Sequence, residues 1–596
     1  MRSSSASFCW LFASLGSIAP SSASPLAGGP QRSKFVGNGV NHVLKYHLGL
    51  DLQGGATNAS THFYGEAQLD HFDGATNATW KQRYYVDETH WCGAGCPIFL
   101  YIGGEGPQGP VSPRLMLATL AAEHGALMVA LEHRFYGASL PTRDMSTANL
   151  RFLTSEQALA DLARFTAYLT SFDPAALAPA GGDRASSPPL ALRAAATSSA
   201  VVGFGGSYPG NLAAWVRLKY PALFAGTVGR SRSRQGLSRL LLTHSLLLYP
   251  PPPRNFTPPP LVAKVASSAP VHAEYDYQQY AQVVGAAMSY PLVGGSPRCA
   301  AVAAAGVAAL RALVTSTTPM GASADIPAAL RPCAPLADDG GDDLATYEGN
   351  VFSNFQGAVQ YNLEGRPPYV SDVCAALTNT NASSAGAGEE PPLQALARAV
   401  ALFSAKPSAP ACVPSSWRDD NIGALTNVTF DGESSDRQWV WQSCNEFGFF
   451  QTTSGAGHPF VAFASLGVEE AGAKICRQAF GLPASYAGPD TRWANTNYGS
   501  RDLQATNVIL PNGNMDPWHA LGIVNSTDDF YETCTDKREC KPQALAASDR
   551  MVFIDGTGHC RDMFAPGCFD AMGFPDTPPV QWAHAQIAAG VASFLD

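Results

Sequence analysis

The chain is poor in charge. Asp, Glu, Lys and Arg make up only 14% of its 596 residues, and the balance is acidic, with a formal net charge of -10. A nucleic-acid partner calls for a basic excess or patch, so none is expected. Beyond the first two dozen residues no uninterrupted apolar run is long enough to suggest a bilayer crossing, so no membrane span is expected there. Cys92 and Cys96 have no second Cys/His pair at zinc-finger spacing, which favours a local disulfide over a metal site. No metal or other cofactor is expected.

What is present begins with a leader. Arg2 is followed by the apolar stretch from Phe8 to Ala19 and by small residues through Ser24, so residues 1–24 read as a secretory signal peptide. Loss of Cys9 with it leaves twelve cysteines, 13 less one, an even number that suits an oxidising compartment. Cys92/Cys96, Cys534/Cys540 and Cys560/Cys568 are close enough in sequence to close local loops. Sequons at Asn58, Asn77, Asn255, Asn381, Asn427 and Asn525 offer N-glycans as the polar surface that charge does not supply. The expected location is the secretory pathway, ending in a lysosome or vacuole or outside the cell.

The length suits a large enzyme with an insertion. Early strands are predicted at Ala67–Phe72 and Gln82–Val86, then apolar strands at Pro97–Ile102, Ala126–Leu131 and Ser199–Phe204, with helical patterns over Arg114–Glu123, Ser155–Phe165 and Asn211–Tyr220. Such alternation predicts an α/β fold with a mostly parallel sheet covered on both faces. From residue 276 to 490 the texture changes to Ala-rich helical runs, at Ala300–Leu313 and Leu393–Phe403, carrying Cys299, Cys333, Cys374, Cys412, Cys444 and Cys476. This stretch reads as a helical cap inserted between sheet strands. It splits the sheet domain into residues 35–275 and 491–596, the second part holding strands at Thr506–Leu510 and Met551–Ile554 and a helix over Val580–Phe594.

Gly205-Gly206-Ser207-Tyr208-Pro209-Gly210 stands between a strand and a helix, a turn that lifts a serine hydroxyl onto a sharp elbow beside a helix N-terminus. A nucleophilic serine needs a base and an acid to orient that base, and on an α/β-hydrolase scaffold these follow in the order Ser, Asp, His, each after a strand. Asp516, in Pro511-Asn512-Gly513-Asn514-Met515-Asp516-Pro517-Trp518, and His559, in Gly556-Thr557-Gly558-His559-Cys560, fit that order. His519 is too close to Asp516, His584 falls in the terminal helix and His133 precedes Ser207. The N–H groups of Tyr208 and Gly104 are the expected oxyanion donors; removing one such donor typically costs about 2.7–4 kcal/mol of transition-state stabilisation.

With Leu69-Asp70-His71-Phe72, Tyr101-Ile102-Gly103-Gly104-Glu105-Gly106, Glu132-His133-Arg134-Phe135-Tyr136-Gly137, Ser267-Ser268-Ala269-Pro270 and Asn445-Glu446-Phe447-Gly448, the chain resembles a known family. It is the serine peptidases that include lysosomal Pro-Xaa carboxypeptidase, dipeptidyl peptidase II and thymus-specific serine protease. The wording of Ala358-Val359-Gln360-Tyr361-Asn362 and Asp516-Pro517-Trp518-His519 is most similar to the thymus-specific branch. The resemblance implies an α/β-hydrolase with a disulfide-bonded helical cap and a triad matching Ser207, Asp516 and His559. It further implies peptide substrates cleaved near their termini, often beside proline. By the same resemblance Trp518 walls the substrate pocket, Glu105 contributes to substrate binding, and the cap disulfides join Cys299 to Cys374, Cys333 to Cys412 and Cys444 to Cys476. A homodimer is compatible with it.

Two departures bear on function. Pro209 stands where the family has a small residue, and proline biases Tyr208 away from helical angles, although the first helical turn tolerates it. Residues 228–264, rich in Arg and Pro, interrupt a core strand that Ala225-Gly226-Thr227 and Val265-Ala266-Ser267-Ser268 would otherwise complete. The proline-rich tract before the rejoining point reads as a translated splice-acceptor region, hence a retained intron, expected as an extruded and poorly packed loop. An esterase or lipase on the same scaffold, or a catalytically impaired binding homologue, remain the alternative functions.

Overall fold

Apolar runs become strands where alternate side chains find cover on two opposite faces. The computed structural model describes residues 58–170, 199–220, 261–337, 340–364, 367–378, 390–404, 412–430, 432, 434–524 and 550–595. The signal-peptide residues 1–24, Asn255, Asn381, Asn525 and the Cys534/Cys540 pair lie outside the described residues. Asn58, Asn77 and Asn427 are exposed.

The strands are β1 (Ser60–Gln68), β2 (Thr79–Asp87), β3 (Ile98–Ile102), β4 (Leu127–Leu131), β5 (Val201–Gly206), β6 (Leu261–Ser267), β7 (Glu274–Asp276), β8 (Gly448–Phe450), β9 (Val508–Gly513) and β10 (Arg550–Ile554). Eight form one sheet in the order β1-β2-β4-β3-β5-β6-β9-β10, antiparallel at β1/β2 and β2/β4 and parallel at the other pairings. Helices α1 (Met116–His124), α2 (Ser155–Thr170) and α3 (Tyr208–Lys219) alternate with the strands of the first half. The chain then passes through α4 (Gln279–Ser289), α5 (Pro297–Thr315), α6 (Asp342–Gln360), α7 (Val370–Thr378) and α8 (Pro392–Ser404), and ends in α9 (Pro578–Leu595).

Strand parity decides which face each residue covers. Phe99, Met128, Val202, Phe204 and Ile509 pack with Leu117 and Leu120 of α1 and with Ile587 and Val591 of α9. The alternate residues Ile98, Leu100, Val129, Val201 and Leu510 join Leu162 and Phe165 of α2 and Leu212 and Trp215 of α3 in a core that continues into the cap. The sheet is therefore covered on both faces, as the alternation predicts.

The cap lies in sequence between β6 and β9, and the parallel β7/β8 pair joins the chain at its start, Glu274–Asp276, to Gly448–Phe450 within it. Disulfides join Cys299 to Cys374, Cys333 to Cys412, Cys444 to Cys476 and, in the sheet domain, Cys92 to Cys96. No disulfide joins Cys560 to Cys568, so the local loop expected there is corrected. The absence of a long apolar stretch is corrected as well: α5 is long and apolar enough to cross a membrane, with a mean hydropathy of 1.5. Its alanines raise hydropathy without bulk, and its Cys299, Ala303, Val307, Leu310 and Val314 form a stripe at spacings of three and four buried in the cap. A hydroxyl cap starts it, Ser296 Oγ accepting the Cys299 N–H at 3.1 Å, with Pro297 in the first turn.

The suspected insertion is also trimmed. Residues 221–260 lie outside the described residues, but β6 starts at Leu261, so residues 261–264 are part of the sheet rather than of an extruded loop. Leu261 pairs with Val201, and Lys264 pairs with Gly203 on one side and Val508 on the other.

Candidate active site

The elbow forms because glycine precedes it. A Cβ on Gly205 would lie 2.2 Å from the Pro209 carbonyl oxygen, and one on Gly206 2.2 Å from Met563 Sδ and 2.9 Å from Cys560 Sγ. Only a chain without side chains there can turn from β5 into α3. Ser207 takes φ 60° and ψ -131°, a left-handed conformation costly for serine and characteristic of a strained strand-to-helix turn. Its N–H donates to the Ser267 carbonyl of β6 at 2.9 Å. Pro209 lies in the first turn of α3, where its missing N–H would have no intrahelical acceptor. Tyr208 opens the helix, and its own N–H likewise has no intrahelical acceptor.

The loops after β9 and β10 are laced to each other. Met515 N–H donates to the Thr557 carbonyl at 3.0 Å, Gly556 N–H to Asn514 Oδ1 at 2.8 Å, and Asn514 Nδ2 to Asp555 Oδ1 at 2.6 Å. This lacing holds Asp516, fully buried, with Oδ2 2.8 Å from His559 Nδ1, while Oδ1 accepts the Trp518 N–H at 2.9 Å. Burial alone would lower the His559 imidazole, but the Asp516 carboxylate and the Cys560 side chain outweigh it and raise it well above its ordinary value. Gly206, the residue before Ser207, packs on Cys560, the residue after His559. Cys560 N–H in turn donates to Ser268 Oγ at 2.9 Å, beside the Ser267 that holds Ser207. Two strands and two loops thus meet at one end of the sheet.

Around this end the packing is aromatic. The Trp518 ring stands 5.3 Å from Phe449, 5.4 Å from Tyr277, 5.7 Å from Tyr280 and 6.4 Å from His559. Gly104, after β3, packs against Pro209: a Cβ there would lie 2.2 Å from Pro209 Cγ. Glu105 is buried, and burial pushes its carboxyl up to about 7, opposed by its own N–H and by His559 nearby. Among the described residues no group of three or more His, Cys, Asp or Glu side chains has the arrangement of a metal site.

Two cap residues had no assigned role in the sequence. Gln360 and Glu446 both reach the sheet domain, Gln360 at the His559 loop and Glu446 at Ser155, which opens α2. The only sequence signal for either was its place in a segment whose wording resembles the family.

The profile of the family Serine carboxypeptidase S28 matches residues 67–176, 190–233 and 253–574. The thymus-specific serine protease of Mus musculus is 30% identical over 563 residues, covering 93% of this chain and 92% of the relative. That of Homo sapiens is 31% identical over 520 residues, covering 87% and 84%. The lysosomal Pro-X carboxypeptidase of Mus musculus is 26% identical over 479 residues, covering 78% and 80%. A match over most of the chain, on a fold whose strand ends carry a serine elbow and an Asp–His pair, identifies a serine-type peptidase: the chain belongs to the serine carboxypeptidase S28 family.

Proposed function

We propose that the chain is an exopeptidase that cleaves peptide bonds near the ends of peptides by acyl transfer through Ser207, His559 and Asp516. Ser207 Oγ attacks the scissile carbonyl as His559 Nε2 takes the hydroxyl proton; the C–N bond breaks as His559 returns that proton to the leaving amine; water then repeats the sequence to release the acid. Asp516 fixes the imidazole tautomer and stabilises the imidazolium. The observation that carries the reading is the 2.8 Å His559–Asp516 hydrogen bond, buried one loop away from a positive-φ serine elbow. Tyr208 and Gly104 would donate to the oxyanion, and Trp518, boxed by Tyr277, Tyr280 and Phe449, gives a flat wall that suits a proline ring. Glu105, buried and within electrostatic reach of His559, would be a substrate contact. The name of the Pro-X carboxypeptidase relative supports cleavage beside proline.

The exposed sequons at Asn58, Asn77 and Asn427 and the four disulfides support an oxidising, secretory route to a lysosome, vacuole or the cell exterior. The test has two parts. A fluorophosphonate probe should label wild-type protein at Ser207 and leave Ser207→Ala unlabelled. Digests of defined peptides, read by mass spectrometry with blocked N-termini in one arm and amidated C-termini in the other, should show loss of product in one arm only. Equal cleavage in both arms, or turnover confined to p-nitrophenyl esters, would replace the exopeptidase reading.

A further inference from the structure

Gln360 is the last residue of α6, deep in the cap, and only 3% exposed. Its carbonyl accepts the His559 N–H at 2.6 Å. The contact is so close that the residue before His559 must be glycine, since a Cβ on Gly558 would lie 2.5 Å from the Gln360 oxygen and 3.2 Å from Asn362 N. Its side chain holds three aromatic residues at once. Oε1 accepts the Trp518 indole N–H at 3.2 Å and the Tyr280 hydroxyl, while Nε2 donates to the Tyr361 hydroxyl at 2.8 Å. Two of those rings flank the imidazole: Tyr361 stands edge-on to His559 at 6.0 Å and 83°, and Trp518 lies 6.4 Å away.

The chemistry of these partners selects the residue. An indole N–H only donates, and Tyr280 donates here too, so one oxygen must offer two lone pairs to both. Tyr361 takes a donor at its oxygen. Glutamine carries both functions at the required reach. A leucine of similar volume carries neither, and asparagine is one methylene short.

We propose that Gln360 is a positioning residue, through which the docked cap sets the Trp518 wall and the His559 loop in a single register for substrate. The proposal rests on the acyl-transfer reading of Ser207 and His559. Substrate contact with the wall depends on the Gln360 side chain, whereas the His559 loop is held by the Gln360 backbone, which no substitution removes. The two contributions therefore separate.

The experiment compares Gln360→Leu, Gln360→Asn and Gln360→Glu with wild type, using paired peptides that carry proline or glycine as the residue donating the scissile carbonyl. Gln360→Leu should raise KM for the proline peptide tenfold or more and for the glycine peptide less than threefold, with kcat within about threefold and fluorophosphonate labelling of Ser207 at the wild-type rate. Gln360→Glu keeps both acceptor lone pairs, and Tyr361 can donate to it, so it should restore KM to within a few-fold of wild type. If the leucine variant does not fold, the Asn/Glu comparison decides, with asparagine defective and glutamate near wild type. Equal KM changes for the two peptides, a fall confined to kcat, or glutamate as defective as leucine would overturn the proposal. Failure of wild-type protein to label at Ser207 would instead overturn the underlying catalytic reading.

Discussion

Replacing Glu446 by glutamine should change how stability depends on pH, and the structure gives the sign and a ceiling. Glu446 lies in the cap, 4% exposed, and both carboxyl oxygens accept the Ser155 N–H at the start of α2, at 3.0 and 2.9 Å; Oε2 also accepts the Ser155 hydroxyl at 3.1 Å. Ser155 Oγ lies 3.3 Å from the Tyr208 hydroxyl, which is 3.1 Å from His133 Nε2. Burial pushes Glu446 up to about 8, opposed by its bonds to Ser155 and reinforced by Glu156. Burial pushes His133 down to about 4, so it is neutral in the same range. A carboxyl raised above its ordinary 4.5 stabilises the fold fully below 4.5 and loses that contribution as pH climbs through about 8. The gap between those values, at about 1.4 kcal/mol per pH unit, sets a ceiling on the order of 5 kcal/mol. The glutamine side chain of the variant cannot titrate but still offers an acceptor to Ser155. Thermal unfolding of both proteins from pH 4 to 9 should show the wild type losing stability relative to Glu446→Gln above pH 5 and levelling off beyond pH 8. A constant difference across the range, or a wild type that gains on the variant, refutes the reasoning. An acidic compartment would keep this latch protonated, in keeping with the proposed location.

Asp516→Asn keeps the shape of the loop but lets the wrong His559 tautomer form, so kcat should fall by about four orders of magnitude, as in other serine peptidases, with an unchanged melting midpoint; steady-state kinetics and calorimetry read both. Gly104→Ala should drive a methyl into Pro209 and disturb the expected oxyanion donor, lowering kcat by about 100-fold. The double variant with Pro209→Gly removes the obstructing ring and should recover most of that loss, whereas an additive double variant would place the effect elsewhere.

Much of this was legible in the chain because it is local. Strand periodicity reports burial on two faces, and each strand end exposes whatever residue follows it, so the turn at Ser207 and the hydrogen-bonded Asp516 and His559 each stand where a few neighbours in the sequence place a strand end. Gln360 and Glu446 were not legible, because each acts across a separation of roughly 200 residues or more, on partners that only the folded cap brings near. The apolar length of α5 was overlooked for a different reason: Arg298 and Arg311 interrupt its apolar run while its alanines keep the mean hydropathy high, and the stripe from Cys299 to Val314 that fastens it depends on helical spacing. Short sequence distance suggested a Cys560–Cys568 bridge, yet Cys560 turns toward the elbow, with its Sγ near Gly206.

The stretch before β6 leads to the last prediction. β6 is an interior strand, paired with β5 on one side and β9 on the other, and such parallel strands read as apolar runs. The present chain puts Lys264 at the position paired with both Gly203 and Val508. Joining Thr227 directly to Val265 would bring Ala225, Gly226 and Thr227 to the ladder positions of Val262, Ala263 and Lys264, exchanging a lysine for a β-branched residue suited to a sheet interior. Within the suspected segment the family profile matches residues 228–233 and 253–264 and leaves 234–252 unmatched. A chain lacking residues 228–264 should therefore express in soluble form, unfold at a higher temperature than the full chain and retain Ser207 labelling. Side-by-side expression with melting curves checks this, and sequencing of mature transcripts checks the origin of the segment. If the shortened chain fails to fold while the full chain folds, and transcripts consistently carry the segment, then residues 228–264 are a genuine part of the protein and the strand tolerates its lysine.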